Sequence, residues 1–195
     1  MSGAGAPSPH SGPLRRLGLA ESDGLRLCRY LDLLASWEAR VNLTGAKSAD
    51  ERVALLVAEV APAATLLAPA SSLIDVGSGN GSPGLVLALL RPDVSVTLLE
   101  PRLKRWAFLR EAARAAGRPD VDVRRERHDA YRGAPADVVT LRGLALPLGD
   151  LRPLVGRGGR IVVFGGSPAA QAPFTPEARL ALPTSEARVF RDCST

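Results

Sequence analysis

The chain has 195 residues, 46% of them hydrophobic but only 4% aromatic, and a formal net charge of +5, so it can bury one aliphatic core without staples. Its two cysteines, Cys28 and Cys193, form no C-x-x-C, which excludes a disulfide framework and a zinc module. No apolar run reaches the roughly 18–20 residues that span a bilayer, and no basic segment leads into an apolar one as in a signal peptide. The expectation is a cytoplasmic monomer, with no metal and no membrane contact.

Residues 1–13 are, after Met1, Ser, Gly, Pro and Ala with one histidine, His10, and read as a disordered tail with a solvated His10. Residues 14–70 read as a helical extension. Asp23 caps a helix over 23–39, whose stripe Leu27, Tyr30, Leu31, Leu34 and Trp37 recurs at three- and four-residue steps. Asn42-Leu43-Thr44-Gly45 stops it. Asp50 caps a second helix over 51–60, which Pro62 interrupts. Two helices are too few for a domain of their own and must lean on the remainder of the chain.

Residues 71–195 alternate short β-branched runs with helical stretches. Strands are predicted at 72–76, 95–99, 121–125, 137–141 and 160–164, the last after a turn over 156–159. Helices are predicted at 83–90 and 103–116, with a short one at 148–154, and a final strand-like run at 186–191. This alternation predicts an α/β fold, a doubly wound, mostly parallel sheet with helices on both faces. The stretch 101–132 holds ten basic and five acidic residues, an excess equal to that of the whole chain. That excess reads either as the arginine-rich bias of a high-GC genome or as a face that attracts nucleic acid.

Chemistry gathers in Leu73-Ile74-Asp75-Val76-Gly77-Ser78-Gly79-Asn80-Gly81-Ser82-Pro83-Gly84. A strand, glycines and a helix start let a ligand approach bare backbone. Such a crevice lies at the carboxyl ends of a doubly wound sheet. Gly79-x-Gly81-x-x-Gly84 matches the dinucleotide fingerprint, with Glu100 placed 21 residues past Gly79, so an NAD-type ligand stays open. Asp75, however, would repel a diphosphate and attract the ammonium and sulfonium of S-adenosylmethionine. Glu100 offers two acceptor oxygens to the two ribose hydroxyls. His128 and Asp129 follow strand three, where an adenine amine would lie, and Arg142 ends strand four. Ser78 has no histidine partner and is no nucleophile.

These residues resemble the bacterial small-subunit ribosomal RNA guanine-N7 methyltransferases, the glucose-inhibited division protein B family. The likeness spans about 25–166. It is carried by Tyr30-Leu31-Asp32-Leu33-Leu34 with Trp37, by Val41-Asn42-Leu43-Thr44, by the loop with Pro83-Gly84, by 98–109 with Lys104-Arg105, and by Asp137-Val138-Val139-Thr140 with Arg142. The resemblance implies a Rossmann-like class I methyltransferase fold, S-adenosylmethionine as cofactor, and small-subunit (16S) ribosomal RNA as partner. Its cofactor contacts fall on Gly77, Ser82, His128, Asp129 and Arg142, beside Asp75, Gly79, Gly81 and Glu100. It implies no catalytic base, because guanine N7 has a lone pair and no proton to lose. The chain departs from the family in lacking a histidine over 55–61 and in having Phe164-Gly165 where a Lys-Gly is usual. Phe164 there is expected to face the RNA side, where it would stack on a base.

Overall fold

The computed structural model describes residues 7–166 and 168–194. Seven strands form one sheet: β1 (Ser72–Val76), β2 (Ser95–Leu99), β3 (Asp122–Arg124), β4 (Ala136–Arg142), β5 (Val155–Phe164), β6 (Phe174–Ala181) and β7 (Glu186–Asp192). Their order is β3-β2-β1-β4-β5-β7-β6. The first five are parallel, and β7 and β6 close one edge antiparallel. The chain leaves β1 toward β2 and β3, then returns to the other side of β1 with β4 and β5. The crevice above β1 and β4 is therefore the switch point where doubly wound sheets bind ligands.

The strand period of two sorts side chains onto two faces. Leu73, Leu98, Val138 and Val162 pack under α2 (Glu21–Trp37), α4 (Gly84–Leu90) and α5 (Leu103–Ala115). Ile74, Val76, Val139, Ile161 and Val163 pack on the other face against Leu148, Leu151 and Leu154 of a 3-10 segment, Leu148–Leu154. Helices were expected on both faces. Among the described residues the second face carries no α-helix: the connection 125–135 holds five charged residues and ends Gly-Ala-Pro, and 165–173 is almost all Gly, Pro and Ala. No helix among them is long and apolar enough to cross a membrane.

The expected stripe on α2 is buried at Leu27, Tyr30, Leu31 and Leu34, while Trp37 is half-buried. The stripe leans on α5, with Trp37 edge-on to Phe108 at 5.7 Å between ring centroids. Two caps differ from expectation. Helix α2 begins after Ala20 rather than at Asp23. Ser48, not Asp50, caps α3 (Ala49–Arg52): its hydroxyl accepts from Glu51 N at 3.1 Å, and Glu51 reaches back to Lys47 N. The helix then widens into a π turn, Val53–Ala58.

The start of the chain also differs. Residues 1–6 of the expected tail lie outside the described residues. His10 is fully buried rather than solvated, its Nδ1 lying 2.7 Å from Asp32 Oδ1, ahead of the short helix α1 (Ser11–Arg15). The predicted turn at 156–159 lies inside β5, as a bulge opposite 136–138. Gly159 is needed there, because a Cβ would come within 2.9 Å of Asp137 O. Strand β6 was not expected: it is an exposed edge strand containing Pro176, so it carries no apolar alternation.

Candidate functional site

The turn after β1 is held in place by its glycines and by bonds from three directions. Gly77, Gly79 and Gly81 have φ of +69°, +50° and +95°, a region other residues enter only at a cost. From below, Gly77 N and Ser78 N donate to Leu99 O, and the Ser78 hydroxyl donates to Asp75 O at 3.0 Å, which leaves Ser78 a structural residue. From the side, the Tyr30 hydroxyl donates to Asn80 O at 2.8 Å. From the helical segment, Asn80 Nδ2 donates to Leu43 O at 3.0 Å, and Arg105 Nη2 to Asn42 O at 3.2 Å. The Asn-Leu-Thr segment is thus a wall of the site.

Two lobes meet at Gly77 and Arg105. The first, about 260 Å³, lies over the ends of β1, β2 and β3 and is bordered by Glu100, Arg102, Glu126, Arg127 and His128. Glu100 is only 3% exposed. Its Oε2 accepts from Gly79 N at 3.0 Å and its Oε1 from Arg102 N at 2.8 Å. Each oxygen keeps acceptor capacity. The second lobe, about 310 Å³, is bordered by Thr44, Leu56, Asn80, Ser82 and Arg142. Arg142 Nη1 donates to Ser82 Oγ at 3.0 Å, and that hydroxyl donates to Leu56 O at 2.7 Å. Burial pulls the Arg142 pKa below its usual value, against the opposing pull of Glu59, Tyr30 and Asp75. The guanidinium stays charged and gives the second lobe a cation suited to a carboxylate.

The structure gathers Gly77, Gly79, Ser82, Glu100, His128 and Arg142 around one crevice. Gly81 supports it from behind, where a Cβ would press Leu85 and Tyr30 at 3.1–3.3 Å. Two expected residues stand apart. Asp75 is fully buried and borders neither lobe: its Oδ1 accepts from the Thr140 hydroxyl at 2.7 Å, and its Oδ2 has no partner. Oδ2 lies so near Gly84 that a Cβ there would be 2.6 Å away, which explains a glycine at that position. Burial raises the Asp75 pKa to about 6, and the Thr140 bond, with the nearby Ser78 hydroxyl and Gly84 N–H, offsets only part of the rise. Asp129 is exposed and paired with Arg127 at 3.2 Å. The turn at Arg127–Ala130 leaves Glu126 and His128 at the crevice and directs Asp129 outward. Thr44, Asn80, Arg105 and Glu126 were not expected as contacts. Of these, Asn80 lies inside the glycine-rich motif and Thr44 and Arg105 in the Asn-Leu-Thr and Lys104-Arg105 segments, while Glu126 carries no sequence signal; none of the segments shows on its own which turn it faces.

The basic stretch divides by partner. Arg118 is buried, donating to Ala88 O and Val94 O and pairing with Asp120. Arg124 pairs with Asp122, as Arg127 does with Asp129. Among the described residues, Arg102, Lys104, Arg105, Arg110, Arg114, Arg125 and Arg132 have no carboxylate partner within salt-bridge distance, Arg132 donating only to the carbonyls of Asp129 and Tyr131. Arg102, Lys104 and Arg105 lie at the crevice end of α5.

The model of the family described as rRNA small subunit methyltransferase G matches residues 25–178. A ribosomal RNA small subunit methyltransferase G of Neisseria gonorrhoeae is 37% identical over 127 residues, covering 65% of this chain and 61% of the relative. One from Neisseria meningitidis serogroup C is 32% identical over 164 residues, covering 84% and 77%. The match thus spans less than two thirds of the gonococcal relative. Among solved structures, a SAM-dependent methyltransferase from Aquifex aeolicus superposes with a TM-score of 0.54 at 13% identity, covering 72% of this chain and 91% of that one. An RNA methyltransferase from Salinibacter ruber, in complex with S-adenosyl-L-homocysteine, gives 0.52 at 22%, covering 64% and 82%. These two likenesses establish the fold, a Rossmann-like class I methyltransferase fold.

Proposed function

The chain belongs to the rRNA small subunit methyltransferase G family, and we propose that it transfers a methyl group from S-adenosylmethionine to N7 of a guanine in small-subunit ribosomal RNA. The observation that carries this reading is Glu100. Two backbone N–H groups hold its carboxylate at the end of β2, at the floor of a lobe sized for a nucleoside. The residues fit the cofactor. Glu100 takes the ribose hydroxyls, the segment around His128 borders the adenine, and Arg142 in the second lobe takes the amino-acid carboxylate.

Bound there, S-adenosylmethionine supplies an electrophilic methyl on a sulfonium. The acceptor N7 brings its own lone pair and releases no proton, so no side chain acts as a base. The protein's part is to place the two reactants in line and exclude water. Arg102, Lys104 and Arg105 at the crevice rim would hold RNA phosphates without reading sequence. Asp75 acts from behind the turn, through its charge and its support of the loop.

Isothermal titration with S-adenosylmethionine and with NAD tests the cofactor. Methyl transfer from labelled cofactor to unmodified small subunits, read by mass spectrometry of the RNA, tests the reaction. Binding of NAD alone would move the chain to the dinucleotide reading. Cofactor binding without RNA labelling would leave a methyltransferase for another acceptor or a non-catalytic binding module.

A further inference from the structure

Gly77 and Arg105 border both lobes of the crevice. Arg105 is half-buried. Among the described residues its guanidinium makes one hydrogen bond, from Nη2 to Asn42 O at 3.2 Å, and no ion pair. A Cβ on Gly79 would lie 3.7 Å from Arg105 Nη1 and 4.0 Å from Glu100 Oε2, so the two charges flank one turn of backbone without pairing. Glu100 is committed instead to Gly79 N and Arg102 N. The first turn of α5 holds no acidic residue that could neutralise Arg105 from its own helix. A permanent cation thus stands where the lobes meet, with no counter-charge in contact.

That position bears on the charge of the donor. In S-adenosylmethionine the sulfonium joins the ribose to the amino-acid chain. With the ribose at Glu100 and the carboxylate at Arg142, the sulfur falls between the lobes, on the side of the residues that border both. A guanidinium half-withdrawn from water repels a sulfonium more strongly than it would in bulk solvent. S-adenosylhomocysteine has a neutral thioether there and escapes the repulsion, while its carboxylate and ammonium are the same. The acceptor strand brings the missing counter-charge, because a phosphate is an anion that a guanidinium takes through two parallel bonds.

We propose that Arg105 couples the two substrates: its charge disfavours the donor sulfonium until a phosphate of the acceptor strand pairs with it. Donor and RNA then strengthen each other's binding by the same factor in each direction, whereas the neutral product gains nothing from the RNA. The coupling ends with the reaction. Guanine N7 gives its electron pair to the methyl carbon, sulfur keeps the pair of the bond that breaks, and the positive charge passes from sulfur to the base. This rests on the methyl-donor reading of the crevice.

Isothermal titration of the full chain with S-adenosylmethionine and with S-adenosylhomocysteine tests this, alone and with saturating oligouridylate, which brings phosphates and no guanine to methylate. Arg105→Gln removes the charge and keeps a donor for Asn42 O, and Arg105→Lys keeps the charge. The ratio of the two affinities is read, since a loosened crevice wall would weaken both ligands alike. Arg105→Gln should shift the ratio toward S-adenosylmethionine by at least about fivefold, and Arg105→Lys should leave it within about twofold. Oligouridylate should shift the wild-type ratio the same way by at least about fivefold, and that of Arg105→Gln by less than about twofold. A smaller shift in either of the first and third comparisons overturns the proposal. So does a Lys variant that shifts as far as the Gln variant, or an oligouridylate effect that persists without Arg105. Where Arg105→Gln binds neither ligand, the oligouridylate shift in the wild type decides. A wild type that binds neither ligand overturns the donor reading itself, and the proposal falls with it.

Discussion

Asp75 makes the folded state sensitive to pH in a direction opposite to most carboxylates. It has no solvent contact, one hydrogen bond and one unpartnered oxygen, and burial raises its pKa from 3.8 to about 6. The folded chain therefore binds this proton more tightly than the unfolded one. Stability from this group is fully present below pH 4, falls as pH rises toward 6, and stays low above that. At about 1.4 kcal/mol per pH unit, the ionised carboxylate costs about 3 kcal/mol at pH 7. Asp75→Asn keeps the shape and an acceptor for Thr140 but cannot ionise. The expected outcome is a difference in unfolding free energy, variant minus wild type, that climbs by about 2–3 kcal/mol between pH 4 and 7 and then levels. Urea titrations of both proteins across that range measure it, and the subtraction removes every other titrating group. A flat difference, or one that falls with pH, would refute the burial argument and mean that Asp75 is ionised and well solvated or well paired. The same variant tests the site: if the charge behind the turn helps hold a cationic donor, wild-type affinity for S-adenosylmethionine rises with pH through 6 and that of the variant does not.

Glu100→Ala removes the proposed ribose acceptors, and bonds to a charged group are worth about 1.5–3 kcal/mol. S-adenosylhomocysteine affinity should fall by about one to two decades, and unchanged affinity in a folded protein would remove the ribose assignment. Replacing the rim cations Arg102 and Lys104 by alanine should weaken binding to a single-stranded ribosomal RNA fragment and flatten its log–log salt dependence by about 0.7 for each phosphate no longer neutralised, whereas Arg124→Ala, at an arginine already paired with Asp122, should change it less; equal effects would spread the RNA site over the whole stretch. Glu59 accepts from Thr184 N at 2.7 Å, from the Thr184 hydroxyl at 2.9 Å and from the Ser185 hydroxyl at 2.5 Å, tying the π turn to the β6–β7 connection. Glu59→Ala should cost about 2–4 kcal/mol in denaturant unfolding, and a loss below about 0.5 kcal/mol would show those bonds to be replaced by water. Phe164→Lys places an ammonium where the ring is 3% exposed among core side chains and also borders a cavity at the ends of β4 and β5, so it should lower stability by about 3 kcal/mol; a variant as stable as the wild type would show that the ammonium reaches water through that cavity.

Local pattern made much of the sheet legible. β1 and β2 match their expected bounds, because a buried parallel strand is a short apolar run closed by turn residues, and both have that form. Strand β6 was illegible for the converse reason. Its side chains are mostly exposed, and what holds it is its antiparallel ladder on β7, with Arg160 and Arg191 both meeting Glu177 across the strands. Such pairing needs the register of β5 and β7, which no single run of residues contains. The burial of His10 was illegible because thirteen residues of tail-like composition hide one polar group whose partner, Asp32, lies on α2 beyond the intervening helix α1.

The crevice was legible as a set of residue types at strand ends, and its errors come from direction rather than position. Side chains alternate across a strand, so a residue at the correct end can still face away from the ligand. Asp75 sits near the end of a strand whose neighbours Ile74 and Val76 face the thinly covered side. Its own carboxylate therefore turns toward the helix side and is sealed under Gly84. Phe164 obeys the same parity. Val163 packs on the thin side, so Phe164 joins Val162 and Val138 in the helix-side core across the bend at the end of β5. Arg142 also departs from its neighbour Leu141 toward the helix side, but there the space beside it is the second lobe and the Ser82 hydroxyl. Three strand-end residues thus share one face: the arginine meets the second lobe, Phe164 also borders the cavity at the ends of β4 and β5, and Asp75 meets no opening. What separates them is how closely the Gly-turn and the helical segment approach the sheet above each one, a tertiary distance that strand parity alone does not encode.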